Sequence, residues 1–444
     1  MHPSVRRGGR APGARAARVR VLLVGMGSRG DVQPFVALGE SLQRLGYTVS
    51  LAAADEFRDL VVGHGLRFEP LSFDLRGGIE SDIGREWLGG SSTNQVREAR
   101  LMRTVMRHVA STLADDLERL IGSADAVVSS ALTFDAVETL AGATRGQRTP
   151  HVYATFQPVW PTGFGASSTF ALQPRSRSVL NLGWSWVAAQ AAWSVVRSTG
   201  DLLRRRHGLP GRTMFGYAAA ARRTPTLLAA SPLVVPPSPD WPASIRQTGF
   251  WFPTASDASE VGVVDPALRA FVDDGSPPVY LGFGSMPTGD PVGVVRTFVT
   301  ALHRAGRRGI VSSGWADLGA APLPGTVLAV ATVPHDWLFP RCVVVVHHGG
   351  AGTTAAALRA GAPQVVVPHI ADQPYWGRRV SELGVGSAPL SRKHFDAERL
   401  RQAIEVALSP TVASTARDLG EQLRDENGAG HAASLMHALL SGAG

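Results

Sequence analysis

The stretch from Val343 to Gly377 constrains the fold of this chain more than any other part of the sequence. It contains two short apolar runs, Val343–Val346 and Val365–Val367, separated by a Gly-rich turn and a segment rich in Ala and Leu. Runs of valine without alternation predict strands that are buried on both faces of a sheet. The stretch therefore predicts a strand–turn–helix–strand unit of an α/β protein.

The turn after the first of these strands reads HHGGAGTT and has no large side chains beyond His347 and His348. Glycines allow a backbone to approach a ligand closely, and the next helix offers free N–H groups and a positive dipole end. The turn is therefore either a phosphate-binding turn, with a histidine donating to a diphosphate oxygen, or an ordinary tight turn. No metal site is expected, because the two histidines diverge and no further ligand stands at a recognisable spacing.

The chain has 444 residues, a length typical of globular proteins with two to three domains. Its net charge is +8. Residues 1–18 are rich in arginine and lack the apolar core of a secretory signal, so we expect a disordered basic tail. The basic body is compatible with anionic ligands or a membrane surface, and no aromatic-interleaved basic stripe indicates nucleic acid. The single cysteine, Cys342, favours a reducing compartment and a cytoplasmic protein.

The segment closest to a membrane span is Val179–Val196, which holds three tryptophans but is interrupted by Asn181 and Gln190. It is not clean enough to predict a transmembrane helix. Its basic flanks are compatible with a helix at a membrane interface, and a helix that lines an apolar cleft or packs in the core remains an alternative. The flanking cations are Arg175, Arg177 and Arg197.

Apolar and polar segments alternate along the chain and predict two α/β halves with open, mostly parallel sheets. The first half, residues 19–230, begins with a strand, a Gly-rich turn and a helix over Gln33–Leu45. Residues 231–243 hold five of the prolines and are predicted to be a linker. The second half is predicted at 244–425, followed by a C-terminal helix within 426–444, with a cleft between the two sheets.

The turn from Gly25 to Gly30 is a G-x-G-x-x-G motif between a strand and a helix, and Asp55 lies beyond the second strand. This pattern is typical of NAD- or FAD-dependent oxidoreductases, although a lone motif of this kind is weak evidence. Asp31 follows the last glycine and would repel a pyrophosphate, whereas it is well placed as a base for a neutral hydroxyl group. A plain helix N-cap is the alternative for Asp31.

Polar and aromatic residues follow other predicted strands of the second half. Asp372 and Gln373 come after the Val365–Val367 strand and could hold several sugar hydroxyl groups. Ser285 and Trp315 end two further strands and could supply a phosphate contact and an aromatic face for a base. In the first half an apolar acceptor site is predicted in the region 155–206, with Phe156, Trp160 and Phe164 as its candidate residues, and simple core packing as the alternative.

These motifs resemble the UDP-glycosyltransferase superfamily over nearly the whole chain. HHGGAGTT followed by PHIADQPYWG is similar to its nucleotide-sugar signature, and GMGSRGDVQPFVALGESLQRLGYTVSLAA is similar to its N-terminal signature. The nearest branches are the sterol glucosyltransferases and the bacterial antibiotic and glycolipid glycosyltransferases. The resemblance implies the GT-B fold, in which two Rossmann-like domains face each other across a cleft. It also implies metal-independent, inverting transfer from a nucleotide sugar, with no other cofactor.

The resemblance also implies roles for individual residues. Asp31 stands where other branches carry a catalytic histidine. Plant members carry a base-stacking tryptophan at a position where this chain has Val333 and its neighbours. Trp315 is therefore the candidate for stacking on the nucleobase, with simple core packing as the alternative. The choice between uracil and thymine is open. The donor-binding residues that the resemblance implies are Ser285, Val333, His347, Gly350, Ala351, Gly352, Thr353, Asp372 and Gln373, and the two Gly-rich turns add Ser28 and His348 as candidates.

The sequence thus predicts transfer of a hexose from a UDP- or dTDP-sugar to a hydrophobic acceptor such as a polyketide aglycone, a sterol or a glycolipid. Asp31 is predicted to take the acceptor proton. The alternatives are an NAD- or FAD-dependent oxidoreductase that uses the Gly25–Gly30 turn and a nucleotide-sugar-binding protein without catalysis. Peripheral contact with the inner face of a membrane is compatible with the sequence, and the oligomeric state is open.

Overall fold

The computed structural model describes residues 19–72, 95–143, 148–254, 264–284, 290–312, 323–331 and 333–442. The predicted tail at 1–18 and two predicted site residues, Ser285 and Trp315, lie outside these described residues. Strands and helices alternate along the described chain, and all strand pairs are parallel. The predicted α/β class with two open sheets is confirmed.

The first sheet contains seven described strands: β1 Arg20–Val24, β2 Thr48–Ala53, β3 Arg67–Pro70, β4 Ala126–Ser129, β5 His151–Thr155, β6 Thr226–Leu228 and β7 Ile245–Gln247. Their order across the sheet is β3-β2-β1-β4-β5-β6-β7. From β1 the chain proceeds towards one edge of the sheet, and from β4 it proceeds towards the other. The turn after β1 therefore lies at a switch point, where open α/β sheets leave a crevice for ligands.

Eight described helices cover this sheet: α1 Arg29–Arg44, α2 Arg58–Gly63, α3 Gln95–His108, α4 Ala110–Ile121, α5 Phe134–Ala143, α6 Val179–Val196, α7 Ser198–Arg206 and α8 Met214–Arg223. Helix α1 begins ahead of its predicted start at Gln33. Ser28 is its N-cap residue and Asp31 closes a capping box, which stabilises a first turn that the sequence pattern did not predict.

The second sheet repeats this topology with five described strands: β8 Val279–Gly282, β9 Gly309–Ser312, β10 Val327–Val330, β11 Val344–His347 and β12 Gln364–Val366. Their order is β10-β9-β8-β11-β12, so the turn after β11 lies at the switch point of this sheet. The accompanying described helices are α9 Pro266–Asp273, α10 Pro291–Ala305, α11 His335–Leu338, α12 Ala351–Ala360, α13 Gln373–Glu382, α14 Ala397–Ala407, α15 Pro410–Arg424 and α16 Gly428–Leu440. Among the described helices, none is both long and apolar enough to pass through a bilayer.

The predicted domain boundary at residue 244 is wrong, because β7 pairs with β6 in the first sheet. The Pro-rich segment 231–243 therefore connects two strands of one sheet. It also contacts the second domain, since Arg379 donates from Nε to the carbonyl oxygen of Val234 at 2.9 Å. The sequence did not reveal β7 because the strand is three residues long and only Ile245 is apolar and buried.

The C-terminal helix α16 returns to the first domain and packs beside α1. Ala429, Ala432, Ala433 and Met436 join the same hydrophobic cluster as Phe35 and Leu38 of α1. The hydroxyl of Tyr47 lies 2.9 Å from Nδ1 of His437 at the edge of this contact. The last helix thus holds the two halves of the chain together through apolar burial.

Removing the buried anchor of α16 tests this packing. Met436 is 1% exposed, whereas Leu439 on the same helix is 41% exposed. We expect Met436→Ala to lower the free energy of unfolding by about 2–4 kcal/mol, because it leaves a cavity. Leu439→Ala is the matched control and should change it by less than about 1 kcal/mol. Chemical denaturation followed by fluorescence measures both, and equal losses would contradict the packing.

Candidate active site

The N-termini of α1 and α12 meet between the two domains. Gly350 is the N-cap residue of α12; its backbone is extended and it has no side chain to cap the helix. The N–H of Thr354 donates a hydrogen bond to the carbonyl oxygen of Gly350 at 2.9 Å. The backbone N–H groups of the first helical turn have no acceptor inside the helix. A Cβ added at Gly352 would lie 3.9 Å from the Cα of Gly30. Two positive helix ends therefore point into one narrow space, which favours an anionic ligand.

Asp31 lies in the first turn of α1 at this junction. Its Oδ2 accepts hydrogen bonds from the N–H of Ser28 at 2.8 Å and from the Oγ of Ser28 at 3.1 Å. Burial raises the pKa of Asp31 to about 6, and the two bonds from Ser28 oppose that rise. The described residues provide no donor to Oδ1, which leaves this oxygen for an incoming hydroxyl group.

Asp372 approaches the junction from the second domain as the N-cap residue of α13. Its Oδ2 accepts a hydrogen bond of 2.7 Å from Nε1 of Trp376, whose ring is fully buried. Burial raises the pKa of Asp372 to about 6, and the nearby charge of Asp31 adds to the rise. The two carboxylates therefore lie close enough to influence each other across the cleft.

Gln373 shapes the turn that carries Asp372. Its Oε1 accepts from the backbone N–H groups of His369 at 2.7 Å and Ile370 at 3.0 Å, so the amide oxygen is already used. Its amide NH₂ group is what remains to contact a ligand. Ala371, between these residues and Asp372, has a φ of 53°, the left-handed value that alanine rarely adopts. Such local strain is typical of functional turns.

His347 does not face the cleft as a free donor, which corrects the prediction that it binds a diphosphate oxygen. Its Nδ1 accepts the N–H of Gly349 at 3.0 Å, and its Nε2 lies 2.8 Å from Oε1 of Gln364. An Nδ1 that accepts a bond requires the proton on Nε2, so both nitrogens are occupied. Burial lowers the pKa of His347 to about 4. This histidine positions the turn.

His348 is the histidine whose ring lies beside the open turn. Cβ atoms added at Gly284 and Gly350 would lie 3.3 Å and 2.5 Å from its ring atoms, so the ring fits only between glycines. Its Nδ1 is buried and makes no hydrogen bond of normal geometry in the described part of the chain, although the backbone of Gly282 interacts favourably with the ring. Burial lowers the pKa of His348 to about 3. A buried unpaired nitrogen costs about 1–3 kcal/mol, which a bound ligand can recover.

Two further histidines near the turn were missed by the sequence reasoning. His335 stacks on Phe339 at 4.2 Å between ring centroids, and burial, aided by the charge of Arg29, lowers its pKa to about 3. His369 lies 2.8 Å from the carbonyl oxygen of Val367 through Nδ1, and burial lowers its pKa to about 4. Their position just after β10 and β12 is a signal that could have found them.

The predicted donor residues are only partly brought together. The structure places Ser28, His348, Asp372, Gln373 and the first turn of α12 around one junction, and that turn contains Ala351, Gly352 and Thr353. Val333 lies between β10 and α11 and is partly buried. Ser285 and Trp315 lie outside the described residues. Among the residues that are described, no group of three or more His, Cys, Asp or Glu side chains could hold a metal ion.

The predicted acceptor residues lie at different depths. Phe156 is partly buried and packs edge-on against Phe35 at 5.6 Å. Trp160 is only 6% exposed and packs on Tyr153 at 5.2 Å, so it belongs to the core and not to an open acceptor cleft. Phe164 is partly buried, with the guanidinium of Arg177 4.8 Å above its ring. The predicted acceptor role of Trp160 is corrected because its ring packs against Tyr153 of β5, and no local sequence pattern reveals that contact.

The Gly25–Gly30 turn does not form a dinucleotide cradle. A Cβ added at Gly27 would lie 2.2 Å from Oδ2 of Asp31, so the carboxylate already fills the space above the turn. Asp55 pairs with Arg58 at 2.6 Å on the protein surface. A pyrophosphate would meet a negative group where it needs backbone N–H donors, and the oxidoreductase alternative has no support in this geometry.

Two family models match the chain, one in each domain. The glycosyltransferase family 28 N-terminal domain matches residues 21–141. The C-terminal domain of proteins like the erythromycin biosynthesis protein CIII matches residues 313–433.

Relatives of known function match along most of the chain. The sterol 3-beta-glucosyltransferase UGT80B1 of Arabidopsis thaliana is 33% identical over 95% of this chain and 68% of its own length. The O-mycaminosyltylonolide 6-deoxyallosyltransferase of Streptomyces fradiae is 34% identical over 94% of this chain and 97% of its own length. A sterol 3-beta-glucosyltransferase of Leptosphaeria maculans is 30% identical, with only 28% of its length covered.

Solved structures share the fold at lower identity. The kitacinnamycin glycotransferase has a TM-score of 0.68 and 21% identity, with 95% of this chain and 99% of that chain covered. The calicheamicin glycosyltransferase CalG4 has the same TM-score and 20% identity, with 96% and 99% covered. VinC in complex with dTDP has a TM-score of 0.62 and 21% identity, with 95% and 100% covered. From the two family models and the relatives, the chain belongs to the GT-B glycosyltransferases, in the family that includes sterol glucosyltransferases and antibiotic glycosyltransferases.

Proposed function

We propose that this glycosyltransferase moves a hexose from a UDP- or dTDP-sugar to a hydroxyl group of a hydrophobic acceptor, with inversion at the anomeric carbon. The observation that carries the proposal is the contact between the N-termini of α1 and α12, with Asp31 in the first turn of α1 and Asp372 near enough for the charge of Asp31 to raise its pKa. One carboxylate comes from each domain, and the helix ends between them favour a diphosphate. Names of relatives support a sterol or an antibiotic-type aglycone as the acceptor, and a glycolipid is proposed from the sequence motifs alone.

Asp31 is the proposed base. The acceptor hydroxyl gives its proton to Oδ1 while its oxygen forms the new bond to the anomeric carbon. The bond between that carbon and the diphosphate oxygen breaks, and its electron pair leaves with the diphosphate. The bonds from Ser28 to Oδ2 orient the carboxylate. A pKa near 6 leaves Asp31 ionised at neutral pH yet basic enough to accept a proton.

The leaving diphosphate is proposed to bind at the first turn of α12, where backbone N–H groups and the helix dipole stabilise its developing charge. The ring of His348 is proposed as an added contact, because it lies against Gly350 at the start of this helix and its Nδ1 makes no hydrogen bond of normal geometry with a described residue. Ser285 and Ser28 are proposed as further phosphate contacts. Val333 through its backbone and Trp315 through its ring are proposed to contact the nucleobase.

The donor sugar is proposed to be held by Asp372 and Gln373. The indole of Trp376 fixes one carboxylate oxygen of Asp372, so the other can accept from a sugar hydroxyl group. The amide NH₂ of Gln373 can donate to a second hydroxyl group. Holding the sugar in one orientation aligns the anomeric carbon with the acceptor oxygen, which is a large part of such catalysis.

We also propose that the enzyme acts in the cytoplasm and contacts the inner face of a membrane, because a sterol or glycolipid acceptor would reside there. Phe156 and Phe164 remain proposed acceptor contacts, since both are only partly buried. A nucleotide-sugar-binding protein without catalysis is less consistent with a base held at the junction. Incubation with donor and acceptors that gives neither transfer nor donor hydrolysis would favour that alternative.

The assignment of the base is tested by Asp31→Asn. We expect kcat to fall by about two to four powers of ten, because the proton has no acceptor, while affinity for UDP or dTDP stays within a few-fold. The matched control is Asp55→Asn, since Asp55 also follows a strand but pairs with Arg58 at the surface. Product formation is followed by mass spectrometry across a panel of acceptors. Full activity in Asp31→Asn would show that Asp31 is not the base.

The pH dependence of kcat/KM provides a second test. Both carboxylates have a pKa raised to about 6, so protonation below that pH removes the base. We expect kcat/KM to be level near neutral pH and to fall about tenfold per unit below pH 6, or more steeply where Asp372 is protonated too. Initial rates measured from about pH 5 to about pH 8 show this fall in kcat/KM on the acidic side. A level profile down to about pH 5 contradicts the raised values.

The two adjacent histidines should separate donor binding from stability. We expect His348→Ala to weaken donor binding about five- to tenfold, because the ring that lies beside the turn is lost. We expect His347→Ala to lower the melting temperature, because it removes two buried hydrogen bonds. Calorimetric titration with UDP or dTDP and thermal melts measure both effects. The reverse pattern would show that His347 is the ligand-binding histidine.

A further inference from the structure

Helix α6 buries two polar side chains in its first half, which is the opposite of a helix on an ordinary soluble domain. Asn181 and Ser185 are 0% exposed. The Nδ2 of Asn181 donates to the carbonyl oxygen of Gln173 at 3.0 Å, and its Oδ1 accepts from the N–H of the same residue at 2.7 Å. The hydroxyls of Ser185 and Ser168 are 3.1 Å apart. The inward face is therefore held by hydrogen bonds.

The outward face of α6 is apolar over most of its length. Leu180 is 58% exposed, Trp184 is 44% exposed and Val187 is 57% exposed. Their spacing of four and three residues places them in one stripe along the helix. The three side chains cover about 10 Å of the helix surface, so they form one contiguous apolar patch and are not isolated surface residues. We call these three residues the α6 stripe.

A basic pocket lies further along the same face of the chain, where α6 passes into α7. It has a volume of about 530 Å³ and is formed with α3 and α4. Ser194 continues the α6 stripe by helical spacing and lines the pocket. The charged residues that line it are Arg103, Arg107, Arg197, Arg205 and Asp201. Four cations face one carboxylate, so the pocket carries an excess of positive charge.

Most of that charge is not neutralised by the protein. Arg197 pairs with Asp201 at 2.7 Å. Arg103 donates to the Oγ of Ser194 at 2.6 Å, and its buried Nε has no acceptor in the described part of the chain. Arg107 and Arg205 are exposed and form no ion pair with any described residue. The pocket is thus built to receive an anion.

We propose that the α6 stripe and this arginine pocket form a docking surface for a bilayer that contains anionic phospholipids. The stripe enters the boundary between headgroups and acyl chains, and a lipid phosphate binds in the pocket. Apolar residues flanked by arginines are the pattern that an anionic bilayer surface complements. At the other end of α6, Arg177 adds positive charge and stacks on Phe164, whereas Arg175 pairs with Glu382 at 3.7 Å. The inference deepens the proposed membrane contact and does not depend on the transfer chemistry.

A second copy of the chain fits this surface less well. A symmetric contact through α6 would bring two identical arginine pockets towards each other, and like charges in that position repel. The apolar stripe alone would suit self-association, but the pocket beside it does not. The charge therefore favours an anionic surface as the occupant.

The test is flotation of the full chain with vesicles, without donor or acceptor. We expect binding to vesicles of equal parts phosphatidylcholine and phosphatidylglycerol, and little binding to phosphatidylcholine alone. Raising the salt to about 1 M should weaken binding, since charges are then screened within about 3 Å. Soluble glycerol phosphate should not displace the protein, because it lacks the apolar part of the site. Equal binding to both kinds of vesicle overturns the proposal.

Four variants separate the two parts of the surface. Val187→Asp should weaken the vesicle partition coefficient at least tenfold, because a carboxylate replaces an inserted apolar group. Arg107→Gln with Arg205→Gln should weaken it about 25-fold, at roughly fivefold for each arginine. The matched controls on the second domain are Val406→Asp and Arg296→Gln, at exposed positions of α14 and α10. Thermal melts establish that each variant is folded.

Two further outcomes overturn the inference, and a third separates it from the proposed function. Equal losses in the control variants would show that no specific surface is involved. Sedimentation that reveals a dimer broken by Val187→Asp, with no vesicle binding, would assign the stripe to self-association. Normal vesicle binding by a chain that fails to transfer sugar would leave the inference intact and refute only the proposed function. The two failures are therefore distinguishable.

Discussion

The contact between the N-termini of α1 and α12 is the constraint on which the rest of the cleft depends. Each helix begins at the switch point of its own sheet, so the two domains present their crevices to each other there. Gly30 and Gly352 lie at this contact, where a Cβ added at Gly352 would be 3.9 Å from the Cα of Gly30. The same contact brings two positive helix ends and two carboxylates into one space, which suits a diphosphate leaving group and a neutral hydroxyl acceptor.

Burial at this junction disfavours the charged forms of two carboxyl groups and two histidines. The pKa values of Asp31 and Asp372 rise to about 6, while those of His347 and His348 fall to about 4 and 3. Removing water costs stability, yet it strengthens the interaction of the remaining dipoles with a developing negative charge. The left-handed Ala371 adds a local backbone cost beside Asp372. The cleft thus trades stability for a dry, oriented site.

Most strands could be predicted, because runs such as Val344–Val346 are buried on both faces of the sheets. The Gly-rich turn and Asp31 were also predictable, since the turn chemistry is local. Three features were not. The direction of the His347 ring depends on Gln364, a residue on the neighbouring strand. The burial of Trp160 depends on Tyr153, and the place of β7 depends on pairing with β6.

The sequence by itself determined the α/β class, the two glycine turns and the residue types that the chemistry requires, because these follow from local periodicity and backbone freedom. The tertiary structure decided which histidine faces the cleft, which aromatic rings are core and how α6 turns its polar side chains inward. It also decided that Asp31 and Asp372 share one space. Distances between residues far apart in the chain arise from packing, and no local pattern encodes them.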